Sequence, residues 1–391
     1  VTFAIHATAV GSAARAGTLA TAHGRVETPV FMPVGTRGTV RTQTLAQLTA
    51  LDPPILLANT FHLGNRPGPE ALAQFGGLHR WMGWPRAILT DSGGFQIFSL
   101  AGTVIDDAGA TLRGADGKTH ALTPERSIAI QRAIGSDIMM VLDQCIASTA
   151  PRAHAEQAMH RTHAWAERSR AAAAGSDAAL FAIVQGACFT DLRRISADVL
   201  TQQRGFDGYA IGGLAVGESR AERQDVTELV TGLLPADRPR YLMGVGMPID
   251  LLEGVHRGVD MFDCILPTAL AQQGLAFTSH GRIDLVRGVH RLAERPLDAA
   301  CGCEACARPR SYLHHLMKHK EPLGWQLLAF HNLAFYLGLM ADIRAALRAG
   351  TFAAFYAAQR ELLTRADPDH PPGKKPRVKP RRAPRGSGAP A

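Results

Sequence analysis

No run of about eighteen or more apolar residues occurs in the 391-residue sequence, so no segment is expected to span a membrane as a helix. Residues 1–20 carry no basic flank followed by an apolar run, which predicts that no secretory signal lies there. Cysteine is scarce and unevenly placed: Cys145, Cys188 and Cys264 stand singly, while Cys301, Cys303 and Cys306 crowd together. A disulfide framework would distribute its cysteines differently and would suit a shorter, secreted chain; the pattern predicts a cytoplasmic protein. No Gly-rich dinucleotide fingerprint opens a helix after the first strand-like segment, and no internal repeat is present. Aromatic residues total only 6%, with four Trp, too few for the exposed rings on which a glycoside hydrolase stacks its sugars.

What the chain does contain is ordinary for a globular enzyme: 46% hydrophobic and 19% charged residues, enough apolar material for a sizeable core. The length allows one large domain or two of average size. Net charge is +8, and Lys374, Lys375, Arg377, Lys379, Arg381, Arg382 and Arg385 account for all but one of those charges. The rest of the chain is therefore close to neutral. From Asp367 onward Pro, Gly, Lys and Arg dominate, a composition that predicts disorder over 367–391.

Eight short apolar runs punctuate the sequence: VFMPVGT (Val30–Thr36), ILLANT (Ile55–Thr60), AILTD (Ala87–Asp91), DIMMVLD (Asp137–Asp143), ALFAIVQG (Ala179–Gly186), GYAIGG (Gly208–Gly213), RYLMGVG (Arg240–Gly246) and MFDCIL (Met261–Leu266). Continuous apolar runs are what buried parallel strands look like. Helical patterns lie between them. Thr123-Pro124-Glu125 reads as an N-cap, a first-turn proline and a first-turn acid, and Pro151–Ala174 is long, Ala-rich and helical. Alternation of eight strands with helices predicts an α/β protein of the (β/α)8 TIM-barrel class. Polar turns at about 101–122 suggest a small hairpin insertion. The expected layout is a barrel over 1–294, a zinc-binding insertion over 295–331, helices completing the barrel over 332–366, and the basic tail.

Cys301-x-Cys303-x2-Cys306 is a strong metal signal, because three clustered thiolates can wrap one zinc ion and a fourth ligand completes a structural tetrahedron. Spacing leaves His314, His315, His319 and His331 all open as that fourth ligand. Separately, chemistry in such a barrel sits at the carboxyl ends of the strands. There the sequence places Asp91 and two glycines, Asp143, Gln185, the loop Gly212–Glu218, and Asp263. Any one Asp could be a cap or turn residue. As a set they suit glycosyl transfer on a nitrogenous base, with one carboxylate attacking an anomeric carbon and another moving a proton.

The motifs TPVFMPVG (Thr28–Gly35), NTFHL (Asn59–Leu63), Gly83-Trp84, Thr90–Gln96, Gly208–Glu218 and Tyr241–Gly246 make the chain, from about residue 10 to 345, resemble the bacterial tRNA-guanine transglycosylases (queuine tRNA-ribosyltransferases). The resemblance implies exchange of the wobble guanine of GUN anticodons, in the aspartate, asparagine, histidine and tyrosine tRNAs, for 7-aminomethyl-7-deazaguanine on the way to queuosine. It implies Asp263 as nucleophile and Asp91 as general acid/base. The base would be held by Asp91, Ser92, Gly93, Gly94, Phe95, Asp143, Gln185, Gly213, Leu214 and Met243, with Phe95 and Met243 sandwiching the ring and the Leu214 carbonyl meeting the aminomethyl group. Val216 and Cys145 match the members that use this precursor rather than the bulkier queuine.

Contacts to tRNA are implied at Gly244, Val245, Gly246, Met247, Pro248, Ile249 and Asp250, and at Thr268, Ala269, Leu270, Ala271 and Gln272. Cys301, Cys303, Cys306 and His331 are implied as ligands of one structural Zn2+ per subunit, though the family spacing before the histidine is one residue longer. A homodimer packed partly through the zinc region is implied as well. One departure stands out: Ala269 and Gln272 replace arginines usual beside the anticodon. Two other classes remain to be compared. A related transglycosylase could act on another nucleic acid, an archaeosine-type tRNA or DNA, but the archaeal enzymes usually carry a further RNA-binding domain and only a short basic tail follows here. A non-catalytic zinc-containing RNA-binding protein would have no need of Asp91 and Asp263 at strand ends.

Overall fold

A computed structural model gives the protein's fold and describes residues 2–114, 117–203 and 205–366. The expected disordered tail, 367–391, lies outside them. All eight apolar runs form strands: Val30–Pro33, Ile55–Ala58, Ala87–Thr90, Ile138–Met140, Ala179–Val184, Gly208–Ile211, Arg240–Leu242 and Met261–Cys264. They pair in parallel in chain order, the eighth pairs with the first, and a parallel bridge from Val34 to Leu57 brings the first against the second. The sheet thus closes into the (β/α)8 barrel. Each strand is buried almost throughout because its alternate side chains fill the barrel interior and the helix-facing layer.

The helix signals act as expected. The Thr123 hydroxyl accepts from the Arg126 amide, Pro124 opens the helix Pro124–Ile134, and Gly135 closes it in the left-handed region at φ 79°. The helix between the fourth and fifth strands spans Arg152–Ala172. The insertion near 101–122 is larger than a hairpin: Val104–Ile105, Ala110–Arg113 and Thr119–Leu122 form a three-stranded antiparallel sheet.

An antiparallel sheet of Thr2–Thr8, Arg15–Thr21 and Gly24–Thr28 precedes the barrel, where no strand was expected. It is tied to the amino-terminal end of the barrel by two buried carboxylates. Arg15 forks onto Asp260, just before the eighth strand, at 2.9 and 2.6 Å. Asp137, just before the fourth strand, lies 2.9 Å from His23 Nδ1 and 3.3 Å from His79 Nε2, and also accepts the His23 and Ile88 amides. The two imidazoles stack at 3.6 Å. Stacked rings aim their in-plane lone pairs along parallel lines, which suits a shared carboxylate better than a shared metal ion. These contacts seal the end opposite the site.

After the eighth strand, a hairpin of Leu275–Thr278 and Gly281–Asp284 packs with the helix Arg310–Lys318 and the start of the helix Pro322–Arg348 around the cysteines. The apolar cluster there includes Ala276, Ile283 and Leu285, so the cysteine region draws in chain well before 295. The break expected between 331 and 332 falls inside one continuous helix. No helix among the described residues is long and apolar enough to cross a membrane.

Candidate active site

Residues from the ends of the second to the eighth strand converge at the carboxyl end of the barrel. Asp91 follows the third strand. Its Oδ1 accepts the Thr60 amide at 2.8 Å and its Oδ2 accepts the Asn59 side-chain amide. Asn59 also caps the helix Thr60–Asn65, taking the His62 amide on its own carbonyl oxygen at 2.8 Å. One side chain therefore both starts a helix and orients a carboxylate. Burial, with the neighbouring Asp263 and Asp143 charges, pushes the Asp91 carboxyl up to about 7, against the pull of the Thr60 and Gly93 amides. Such a group can give or take a proton near neutrality.

Asp143 lies on the loop after the fourth strand. It accepts from the Ser92 hydroxyl at 3.1 Å and from the Gln185 amide at 2.7 Å. Burial raises its pKa against both bonds. The Gln185 nitrogen has a second hydrogen left for a ligand carbonyl, and its oxygen is buried without a partner among the described residues. Glycine is required on both sides of this pair. A Cβ on Gly94 would meet Asp143 Oδ1 at 2.0 Å, and one on Gly213, which sits at φ 66°, would meet Gln185 Oε1 at 2.4 Å. The backbone comes this close to the two side chains only because it carries none of its own there.

The eighth strand carries Asp263. Its Oδ1 accepts the Tyr241 hydroxyl at 2.6 Å and the Gly244 amide at 2.8 Å. Burial raises its pKa against these two donors. Phe95 has 55% of its surface exposed, Met243 is half-buried, and Leu214 is buried. The Ala215 and Val216 amides donate to the Glu218 carboxylate at 2.5 and 3.1 Å. Because a trans peptide points its N–H and C=O in opposite directions, this bond turns the Leu214 carbonyl away from Glu218.

The expected tRNA-contacting stretch is only partly accessible. Gly244 is exposed and Met247 half-buried, whereas Val245, Gly246, Pro248, Ile249 and Asp250 are buried. Asp250 is paired with Arg220 at 2.9 Å and Arg223 at 3.1 Å, and the Gly246 carbonyl accepts the Tyr336 hydroxyl at 2.5 Å. In the second stretch, on the helix Leu266–Gln272, Gln272 is exposed, Ala269 and Leu270 are half-buried, and Thr268 and Ala271 are buried.

Sequence reasoning assigned no role to Asn59, Tyr241 or Glu218. All three lie inside motifs quoted for the resemblance, but nothing in their spacing shows which carboxylate or amide they meet.

Away from the mouth, the sulfurs of Cys301, Cys303 and Cys306 and one nitrogen of His331 all lie within 4.8 Å of one another. His331 Nδ1 is 3.5 Å from Cys303 Sγ and 3.3 Å from Cys306 Sγ. Two ligands of a tetrahedral zinc, one sulfur and one nitrogen, would be about 3.6 Å apart for ordinary bond lengths, so the donor set fits such an ion. His331 Nε2 lies 2.6 Å from the Phe277 carbonyl, a hydrogen bond that fixes the tautomer with Nδ1 free to ligate. The other histidine candidates are engaged elsewhere: His314 Nδ1 faces the Leu285 carbonyl at 2.7 Å, and His315 packs on His319.

A family model described as queuine tRNA-ribosyltransferase matches residues 10–364. The chain is 51% identical over 355 residues to a queuine tRNA-ribosyltransferase of Solidesulfovibrio magneticus, covering 90% of this chain and 95% of the relative. It is 47% identical over 372 residues to that of Agrobacterium fabrum, covering 94% and 98%. With the Novosphingobium aromaticivorans protein of the same description it shares 49% over 363 residues, covering 91% and 96%.

Proposed function

We propose that this chain, which belongs to the queuine tRNA-ribosyltransferase family, is a tRNA-guanine transglycosylase that replaces the wobble guanine of GUN anticodons by 7-aminomethyl-7-deazaguanine. The observation that carries the reaction is the pairing of two differently held carboxylates at one mouth: Asp263, anchored through one oxygen, and Asp91, held near neutrality.

Asp263 attacks the ribose C1′ through Oδ2, and the bond to guanine breaks while Asp91 gives the departing base a proton. The tRNA stays attached to Asp263 as a ribosyl ester. The incoming deazaguanine loses a proton to Asp91 and displaces Asp263, so two inversions give net retention. For this to happen the target nucleotide must leave its stack and enter the barrel mouth. Asp143 accepts from the purine N–H groups, Gln185 and the Gly213 amide donate to its carbonyl, and the Leu214 carbonyl accepts from the aminomethyl group. Phe95 and Met243 cover the two faces of the ring. Ser92, Gly93 and Gly94 back Asp143 beside the bound base.

The exposed parts of Gly244–Asp250 and Thr268–Gln272 lie along the tRNA in the same proposal, and the buried parts set the loop's shape. The four-residue cluster holds one Zn2+, structural in role because three thiolates and an imidazole leave no open position. The family resemblance supports a homodimer and a cytoplasmic location. Exchange of radiolabelled guanine into purified tRNA, with and without the aminomethyl base, tests the proposal. No incorporation into any GUN tRNA overturns it, and incorporation into DNA or another tRNA position instead would move the chain to a related transglycosylase.

A further inference from the structure

Resting on the base-exchange function just proposed, we propose that Arg193 is a positioning residue for base recognition, a buried guanidinium that holds the turn presenting Gln185. The fifth strand ends at Val184. Gln185 follows, and then the chain turns through Gly186 and Ala187, both at positive φ (138° and 48°). For alanine the left-handed region is unfavourable, so the turn persists only where its surroundings hold it. Arg193, on the helix Thr190–Gln202, does so. Its Nη1 donates to the Val184 carbonyl at 2.7 Å and its Nε to the Ala187 carbonyl at 2.8 Å. The two bonds bracket Gln185.

The same helix holds Gln185 itself. The Gln185 amide donates to the Ser196 hydroxyl at 3.2 Å, and Ser196 Oγ lies 2.9 Å from His163 Nε2. Burial drops the His163 pKa to about 4, so the ring that meets Ser196 is neutral. A Cβ on Gly186 would meet the Arg193 amide at 3.0 Å, which leaves the turn no slack against the helix. Held from behind in this way, the Gln185 side chain donates to Asp143 at 2.7 Å.

Packing alone does not account for an arginine here. Arg193 is fully buried, and its Nη2 has no partner among the described residues. Glu218 acts on this guanidinium only through space, without an ion pair among the described residues, and such a buried cation costs stability that an apolar side chain of similar volume would not. What methionine lacks is a rigid fork of donors that can grip two carbonyls at once.

The test compares full-length, zinc-loaded wild type with Arg193→Met and Arg193→Lys, measuring Tm, the KM for guanine at saturating tRNA and the KM for tRNA at saturating guanine. Arg193→Met should raise the KM for guanine by roughly tenfold, the cost of losing alignment of one ligand hydrogen bond. The KM for tRNA should stay within about twofold of wild type. Arg193→Lys, which keeps the charge and one donor, should recover only part of the loss. Should Arg193→Met fail to fold, Ser196→Ala removes one anchor of the same turn and should raise the guanine KM selectively. A guanine KM unchanged in Ser196→Ala and in whichever Arg193 variant folds, or equal rises in both KM values, assigns Arg193 to packing and overturns the inference. A wild type that exchanges no guanine overturns the functional proposal, and this inference with it.

Discussion

The Tyr241 hydroxyl donates to Asp263 Oδ1 at 2.6 Å from the neighbouring seventh strand, so one carboxylate oxygen is held while the other receives no hydrogen bond among the described residues. A carboxylate bound in this way is oriented without being fully neutralised, as the proposed nucleophile requires.

Asp263→Asn should therefore abolish exchange with little effect on the fold. Tyr241→Phe should lower kcat by roughly tenfold, the value of one hydrogen bond to a charged group, with the KM for tRNA nearly unchanged. Denaturing gels of enzyme mixed with tRNA would show a covalent adduct in wild type. A normal adduct in Asp263→Asn removes that residue from the nucleophile role.

Asp91 predicts a pH effect on stability with a definite sign. Its carboxyl is raised from the ordinary 3.8 to about 7, so the folded protein binds this proton more tightly than the unfolded chain does. The contribution is fully present below about pH 4 and is withdrawn as pH rises through about 7. Asp91→Asn should then melt above wild type at pH 8, by up to a few kcal/mol in stability, and the gap should close toward pH 4. Parallel Tm curves for the two proteins across that range would mean that the Asp91 carboxyl is not raised. Exchange itself should be lost in this variant.

Metal content offers a separate check. Zinc should be found at one ion per chain, and Cys303→Ala should lose it. The variant should show a less stable hairpin and helix around residues 275–331, because the thiolates close that small apolar cluster. Stoichiometric zinc in purified Cys303→Ala would exclude this residue as a ligand.

Glu218 should act on base choice rather than on chemistry. Its carboxylate accepts two successive amides, an arrangement that a glutamine cannot copy with both terminal atoms. Glu218→Gln should weaken use of the aminomethyl base relative to guanine, by roughly tenfold for one misplaced hydrogen bond. Equal loss for both bases would show that Glu218 merely supports the loop.

The basic residues at 374–391 should strengthen tRNA binding without specifying it. Outside them the chain has almost no net positive charge, and the family resemblance implies arginines where Ala269 and Gln272 stand. Removing 374–391 should raise the tRNA KM and flatten its salt dependence, through lost counterion release, with kcat and base choice unaltered. Identical KM values and salt slopes with and without the segment would leave it no part in binding.

Much of this protein was legible from local pattern. The eight barrel strands announce themselves because a strand buried on both faces must be apolar throughout, and their order follows because short right-handed crossovers place successive strands side by side. Asp91, Asp143 and Gln185 could be located because each closes such a run, and Asp263 because it is the one carboxylate inside the eighth. The three cysteines were visible for the same reason: their ligand chemistry is local.

What the tertiary structure decided is which distant groups meet. Thr2–Thr8 is mostly exposed, so its sequence carries no burial pattern, and its place depends on the Arg15–Asp260 and His23–Asp137 contacts across the barrel's closed end. Among four downstream histidines only the packing of the helix Pro322–Arg348 against the hairpin brings His331, and not His314, to the thiolates. Asn59, Glu218 and Arg193 are polar residues in unremarkable local settings, and each acquires its role from a backbone group or carboxylate that another segment supplies. Hydrophobic periodicity is a property of consecutive residues and survives in one dimension, whereas a hydrogen bond between strand ends exists only after the barrel has closed.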